Sequence, residues 1–149
     1  MAFSTPSLKG RALRLLSQRE HSRTELERKL ARHEEEPGSL ARVLDDLAAK
    51  DFISEVRVVA SVLHQRAPRL GAARVRQELQ QKGIAPEAIV EAVAGLQSTE
   101  LERARALWQR RFDELPQDAK ARARQSRFLL SRGFSGAVVA KVLSGKLDD

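Results

Sequence analysis

Residues 79–93 read LQQKGIAPEAIVEAV, and residues 129–143 read LLSRGFSGAVVAKVL, at a constant offset of 50 positions. A leucine, a glycine, a large apolar residue and a stripe of aliphatic residues recur at the same places in both segments. In each segment the glycine separates two runs whose apolar residues are spaced three and four positions apart, which predicts two helices joined by a short turn. The two segments therefore predict an internal repeat.

The first part of the chain follows the same plan less evenly. In the second predicted helix, Leu26 and Leu30 match Val75 and Leu79 at an offset of 49 positions. In the third predicted helix, Val43 and Leu47 match Ile89 and Val93 at an offset of 46 positions. The loop 34–38, EEEPG, explains the difference if it carries about three extra residues. We therefore expect three copies of one unit.

Helical spacing of apolar residues continues almost from end to end, and the alternation typical of strands is absent. Ser22 with Glu25 and Thr99 with Glu102 are spaced as capping boxes, and residues 37–39 open a helix. Gly71 and Gly83 are expected at helix boundaries, where the backbone is left-handed or closely packed. Nine helices are predicted, near 8–19, 23–33, 39–50, 55–66, 71–82, 86–96, 99–115, 118–132 and 135–144.

These elements predict an all-α fold, a tandem array of three three-helix repeats that is elongated and curved. The predicted repeats are 1–52, 53–97 and 98–149. Only 4% of residues are aromatic, so the cores must be mainly aliphatic.

Catalytic and metal chemistry find little support in the sequence. The chain has no cysteine, which excludes disulfides, thiol catalysis and sulfur-ligated metals. His21, His33 and His64 are too scattered to share a helical face, so we expect surface histidines, no metal and no cofactor. The acidic residues 34–36 and 45–46 have no nucleophile placed near them, and solvated surface is their expected role. We therefore expect a protein that is not an enzyme.

No export signal or long apolar stretch is evident, so the expected location is the cytoplasm, with no membrane association. The formal net charge is +7, and residues 101–149 hold 11 basic against 6 acidic side chains. Lys120, Arg124 and Arg127 fall at i, i+4 and i+7, which places them on one helix face able to follow phosphates or an acidic groove. The aromatic residues of this region, Trp108 and Phe128 among them, lie at core-like positions, which argues against base stacking.

Thirteen basic residues form the predicted binding surface, in a C-terminal group with a second patch around the fifth helix. They are Arg66, Arg69, Arg74, Arg76, Lys82, Arg103, Arg110, Arg111, Lys120, Arg122, Arg124, Arg127 and Arg132.

Two stretches resemble the RecX family. Residues 51–55, DFISE, and 66–84, RAPRLGAARVRQELQQKGI, resemble its central repeat, and residues 12–30, ALRLLSQREHSRTELERKL, stand where the family has its first two helices. Two departures are the run 34–36 in place of a common glycine, and Glu55 with an aliphatic face in place of an aspartate and an aromatic residue. The third repeat is similar mainly in its spacing.

The resemblance implies a non-catalytic negative modulator of the RecA recombinase. Such a protein binds RecA filaments on DNA, suppresses ATP hydrolysis and strand exchange, and so affects recombination, DNA repair and the SOS response. It also implies weaker, salt-dependent affinity for single- and double-stranded DNA, and we expect a monomer. The sequence leaves open whether inhibition caps the filament end or coats its groove.

Two other functions remain open at this stage. One is a DNA-binding regulator of the helix-turn-helix type that acts without RecA, since a basic three-helix unit is typical of that class. The other is a helical adaptor for an acidic protein.

Overall fold

A computed structural model describes residues 5–145 of the chain, and this part contains nine α-helices and no β-strand. The helices are α1 (Leu8–Gln18), α2 (Arg23–Leu30), α3 (Ser39–Ala49), α4 (Glu55–Arg66), α5 (Ala72–Gln81), α6 (Pro86–Gln97), α7 (Glu100–Arg111), α8 (Ala119–Ser131) and α9 (Gly136–Ser144). One short 3-10 helix, Ala31–His33, follows α2.

Helix α7 is shorter than the sequence predicted. It ends at Arg111, and Phe112 is extended, with φ −125° and ψ 143°. Residues up to 115 were expected in the helix, but Pro116 disfavours helical backbone at the position before it. The ring of Phe112 also packs edge-on against Phe128, with centroids 5.5 Å apart, which draws the chain away from the helix axis.

The two predicted capping boxes have different outcomes. The first is confirmed, because the Glu25 amide donates to Ser22 Oγ at 3.1 Å and the Ser22 amide donates to Glu25 Oε1 at 3.0 Å. The second is wrong: Thr99 makes no capping bond, and its hydroxyl donates back to Leu96 O at 3.3 Å. Thr99 Oγ1 accepts instead from Arg103 Nε at 3.0 Å. The Thr99 hydroxyl is therefore bound to Arg103 and does not cap the start of α7.

The chain divides into two compact units. The first unit comprises the residues up to Ser61 together with Gln81–Ile84, and the second comprises Val62–Gln80 and the residues from Ala85 onward. Each has a mainly aliphatic core. In the first unit it is formed by Ala12, Leu26, Leu30, Leu40, Leu44 and Leu47. In the second unit one core cluster is formed by Ala104, Leu129, Phe134, Val139, Val142 and Leu143.

A glycine turn packs against the start of a helix in the first unit. Gly83, at φ +72°, lies so close to Thr24 at the start of α2 that a Cβ would overlap the threonine side chain. Two polar contacts tie the same turn to α2. Lys82 Nζ lies 3.1 Å from Glu25 Oε1, and Arg28 Nη1 donates to Gln81 O at 2.8 Å. We call this contact the first glycine joint.

The second unit contains a joint of the same kind. Gly133, at φ +92°, packs against Arg74 in α5, and Gly71 lies so close to Gly133 that neither position has room for a side chain. The Gly71 amide donates to Arg132 O at 2.7 Å, and Arg74 Nη1 donates to Ser131 O at 2.6 Å. This is the second glycine joint. The expectation that Gly71 and Gly83 need a closely packed or left-handed backbone is confirmed.

The predicted repeat boundaries after residues 52 and 97 remain predictions, as does the elongated, curved shape. Residues 1–4 and 146–149, which the outer repeats were predicted to include, lie outside the described residues.

Candidate functional site

Helix α8 carries a row of exposed cations. Asp118 caps the helix by accepting from the Ala121 amide at 2.7 Å, and Lys120, Arg124 and Arg127 follow on one face. This face is opposite the buried side of the helix, which holds Leu129. The three cationic side chains make no hydrogen bond or ion pair with any described residue. They are therefore available to an anionic partner, and we call them the α8 row.

Arg122 lies away from this row. Arg122 follows Lys120 by two residues, which rotates its side chain by about 200° around the helix axis. It therefore lies toward the side of α8 that carries Gln125 and Leu129. It is nevertheless exposed, because it lies in the first turn of α8. Arg122 therefore belongs to the start of the helix rather than to the α8 row.

The buried side of α8 is fixed by a glutamine. Gln125 Oε1 accepts from Trp108 Nε1 at 2.8 Å, and Gln125 Nε2 donates to Glu114 O at 3.2 Å. A buried amide with both ends bonded sets one rotation of the helix about its axis. The α8 row consequently points outward in a single orientation.

Two further arginines lie over aromatic rings. The guanidinium of Arg132 is 4.7 Å from the ring centroid of Phe128, and that of Arg111 is 5.7 Å from the same centroid and 5.9 Å from that of Phe112. Each exposed stack is worth about 0.5–1 kcal/mol and restrains the plane of the guanidinium. Both arginines remain exposed and add to the basic surface around α8.

Arg103 has a structural role instead. Its Nη1 donates to Ala67 O at 2.8 Å and to Leu70 O at 2.7 Å, and its Nη2 donates to Leu96 O at 2.9 Å. Burial lowers the pKa of Arg103, although the Coulombic attraction of Glu100 opposes this shift. Arg103 is half-buried, and its guanidinium donors are bound within the protein rather than offered to a partner. Arg110 is exposed and donates to a backbone carbonyl at 3.2 Å.

The predicted patch around the fifth helix is only partly exposed. Arg66 pairs with Glu78 at 2.9 Å, and Arg74 is bound in the second glycine joint. Arg69 and Arg76 are exposed and make no side-chain bond to a described residue. Lys82 belongs to the first unit, where its side chain is only 16% exposed and is paired with an acid in the first glycine joint.

The sequence did not reveal the charge cluster around Glu25. Burial opposes ionisation of the Glu25 carboxyl, but hydrogen bonds from Arg19, the Ser22 amide and Lys82 outweigh it and lower the pKa of Glu25 to about 2. The capping-box spacing gave one of these partners. Sequence spacing does not reveal the contacts of Glu25 with Arg19 and Lys82. Arg19 is not at a helical spacing from Glu25, and Lys82 is brought to Glu25 only by the tertiary fold.

His21 corrects the expectation of surface histidines. Only 1% of it is exposed; its Nδ1 donates to Arg19 O at 3.0 Å, which leaves Nε2 to accept from Lys29 Nζ at 3.1 Å. Burial is the main cause that lowers the pKa of His21, and the nearby cations Arg19 and Lys29 act in the same direction. The neutral imidazole therefore acts as a buried hydrogen-bonding group of the first unit.

Within residues 5–145, no group of three or more histidine or acidic side chains is placed to hold a metal ion. In the same part of the chain, no helix has the length and apolar composition that a membrane span requires.

Three family models, each for one three-helix domain of RecX, match the chain in order. The first domain matches residues 9–47, the second 54–93 and the third 98–143. Three three-helix domains are thus present in tandem in an all-α chain.

Relatives named regulatory protein RecX match over nearly the full length. The protein of Leptothrix cholodnii is 57% identical over 145 residues, covering 96% of this chain and 92% of that protein. The protein of Ralstonia nicotianae is 47% identical over 146 residues, with 96% and 92% covered. That of Chromobacterium violaceum is 40% identical over 149 residues, with 100% and 97% covered.

Two solved structures share the fold. A crystal structure of regulatory protein RecX matches with a TM-score of 0.76 at 22% identity, covering 92% of this chain and 71% of that chain. The crystal structure of RecX from Lactobacillus salivarius matches with a TM-score of 0.73 at 20% identity, covering 92% of both chains.

Proposed function

Because the chain belongs to the RecX family of regulatory proteins, we propose that it is a negative modulator of the RecA recombinase. It binds the filament that RecA forms on DNA and suppresses ATP hydrolysis and strand exchange. It thereby affects recombination, DNA repair and the SOS response. The protein acts by binding, without a cofactor or a reaction of its own, in the cytoplasm and as a monomer in dilute solution.

The α8 row is the observation that supports this proposal most strongly. Its three cations span seven residues of helix, about 10 Å, whereas one strand of duplex DNA carries a phosphate about every 3.4 Å along its axis. The row therefore matches about three successive phosphates, or an acidic groove of similar length. Its side chains have no internal partner to lose on binding.

The remaining predicted residues divide by their contacts. Arg69, Arg76, Arg110, Arg111 and Arg132 are exposed and join the α8 row in the proposed surface, and Arg122 is an additional exposed cation on the other side of α8. Arg66, Arg74, Lys82 and Arg103 are bound within the protein and support the surface indirectly. We propose that phosphate and carboxylate groups are the ligands, since arginine pairs with either in a bidentate geometry.

The mechanism we propose is steric. A chain bound along the filament contacts RecA and DNA together and obstructs the changes that accompany ATP turnover. Naked DNA, which offers only part of this contact, binds more weakly and in a salt-dependent manner.

The experiment is a RecA ATPase assay on single-stranded DNA into which this protein is titrated. We expect inhibition that saturates, with strand exchange lost over the same concentration range. Filament binding that leaves both activities unchanged at saturation would refute the proposal.

A matched pair of variants tests the surface itself. Arg124→Glu with Arg127→Glu should weaken inhibition at least tenfold, while Arg14→Glu with Arg42→Glu makes the same change in net charge on α1 and α3 and should have little effect. All four residues are exposed, so circular dichroism should show unchanged helicity. Equal loss in both double variants would indicate a general charge effect instead of this surface.

A further inference from the structure

Two large apolar residues are exposed close together in sequence at the start of α4. Phe52, in the turn before this helix, is 48% exposed, and Val56, in its first turn, is 79% exposed. Exposed apolar residues are ordinary when they are scattered singly, as Val90 in α6 and Leu130 in α8 are. Phe52 and Val56 instead occur together and include an aromatic ring, and we call them the α4 pair.

The turn that carries Phe52 exposes a residue that the glycine joints bury. Asp51, after the end of α3, is left-handed with φ +65°, and the Phe52 amide donates to Leu47 O at 2.9 Å. The residue after such a left-handed position commonly packs back on the helix that has just ended. In the two glycine joints that residue, Ile84 or Phe134, is buried. Phe52 departs from this arrangement, and much of its ring remains open to a partner.

Arg57 holds this turn in place. Its Nη2 donates to Asp51 O at 2.7 Å, its Nη1 to Asp51 Oδ2 at 3.0 Å, and its Nε to Glu20 Oε1 at 2.8 Å. These bonds maintain an aspartate in a conformation that glycine adopts with less strain. Backbone held in this way by its surroundings is typical of binding surfaces. A fixed turn also reduces the conformational entropy that is lost when Phe52 is bound.

The charge around the α4 pair indicates the kind of partner. Residues 51–57 together with Glu20 hold three carboxylates and one guanidinium, in a chain whose formal net charge is +7. This local excess of acid repels phosphates, in contrast to the α8 row. An exposed aromatic residue with acidic neighbours is complementary to an apolar pocket on a protein that has basic side chains at its rim.

We propose that the α4 pair is a protein-contact surface that inserts into an apolar pocket with a basic rim on a RecA subunit of the filament. This inference rests on the proposed function and divides its contacts between two surfaces. The α8 row, in the second unit, binds anionic groups, whereas the α4 pair, in the first unit, binds protein. Loss of the α4 pair therefore weakens binding to the filament and leaves the affinity for naked DNA unchanged.

The test compares binding to an immobilised single-stranded oligonucleotide that is either bare or covered by a RecA filament. Val90→Ser is the matched control for Val56→Ser, because it makes the same change at a similarly exposed valine of another helix. Phe52→Ser with Val56→Ser should weaken filament binding about tenfold or more, and Val56→Ser alone several-fold. Val90→Ser should have little effect. All variants should bind the bare oligonucleotide as the unmodified chain does, with unchanged helicity by circular dichroism.

Glu55→Gln adds a test whose sign distinguishes protein from DNA at this surface. Removal of this acid should weaken contact with a basic rim, whereas contact with phosphates would become stronger. Stronger filament binding by Glu55→Gln, or equal losses in Val56→Ser and Val90→Ser, would overturn the proposal. So would self-association of the unmodified chain in sedimentation velocity that the double variant removes, because a second copy would then occupy the α4 pair.

Failure of this inference is distinguishable from failure of the proposed function. If the unmodified chain binds the filament and the double variant binds it equally well, only the assignment of the α4 pair is refuted. If the unmodified chain does not bind the filament, the proposed function and this inference are both refuted.

Discussion

Replacing Arg103 by methionine separates its structural role from a binding role. The guanidinium joins the backbone after α4 to the end of α6 through Ala67 O, Leu70 O and Leu96 O. Methionine keeps an aliphatic side chain of similar length and removes every donor. Loss of stability should therefore report the lost hydrogen bonds rather than a large cavity.

The expected magnitude follows from the carbonyls that lose their partner. Leu96 O still accepts from the Thr99 amide at 3.2 Å, so Ala67 O and Leu70 O bear most of the loss. A hydrogen bond from a charged donor contributes about 1.5–3 kcal/mol, and both sites are partly solvated, so the lower value applies. Arg103→Met should lower the free energy of unfolding by about 3 kcal/mol. In a chain of this size that is a fall of about 6–12 °C in Tm.

Urea unfolding followed by the fluorescence of Trp108 is the direct assay, because this is the only tryptophan and it packs on the core of the second unit. Arg124→Met serves as the control, since that side chain is exposed and unpaired; it should change stability by less than about 0.5 kcal/mol. Equal midpoints for Arg103→Met and Arg124→Met would refute the structural role of Arg103.

Three other predictions follow from the joints, the buried histidine and the α8 row. Gly83→Ala should lower the free energy of unfolding by about 2 kcal/mol or more, since its φ of +72° strains an L-residue and its Cβ would overlap Thr24. Gly95→Ala, in open space within α6, should raise it by about 1 kcal/mol, so urea midpoints should shift in opposite directions. Burial lowers the pKa of His21, so as the pH falls below 6.5 the unfolded state takes up a proton that the folded state does not. The free energy of unfolding should therefore decrease by up to about 1.4 kcal/mol for each unit by which the pH falls. Circular dichroism should show this dependence largely lost in His21→Gln and retained in His33→Gln. If duplex phosphates are the ligands, neutralising two cations of the α8 row should reduce the slope of log affinity against log salt by about 1.8, and an unchanged slope would exclude phosphate contact by this row.

The sequence predicted most of the helices because each one carries an apolar stripe of helical period, which is a local signal. The Ser22–Glu25 capping box was predicted for the same reason, since its two residues lie three positions apart. The boundary glycines were predicted from their places between apolar stripes, whereas the groups they pack against, Thr24 and Gly133, are distant in sequence. The end of α7 was not predicted, because there the edge-on contact of Phe112 with Phe128 depends on a residue sixteen positions away.

The candidate surface was predictable in composition but not in detail. Helical spacing alone identified the α8 row, because Lys120, Arg124 and Arg127 share one face whatever the tertiary structure. Exposure could not be predicted the same way. Arg103 has the same residue type as its neighbours, and only the folded backbone brings three carbonyls within reach of its guanidinium. A charged residue therefore shows its role through the groups that surround it.

The glycine joints have a consequence for which substitutions this chain tolerates. Each joint depends on a missing side chain and on backbone atoms, so the identities of most surrounding residues are free to drift without moving the contact. Substitutions at the exposed positions around a joint therefore alter the surface charge of this chain while the helices keep their packing.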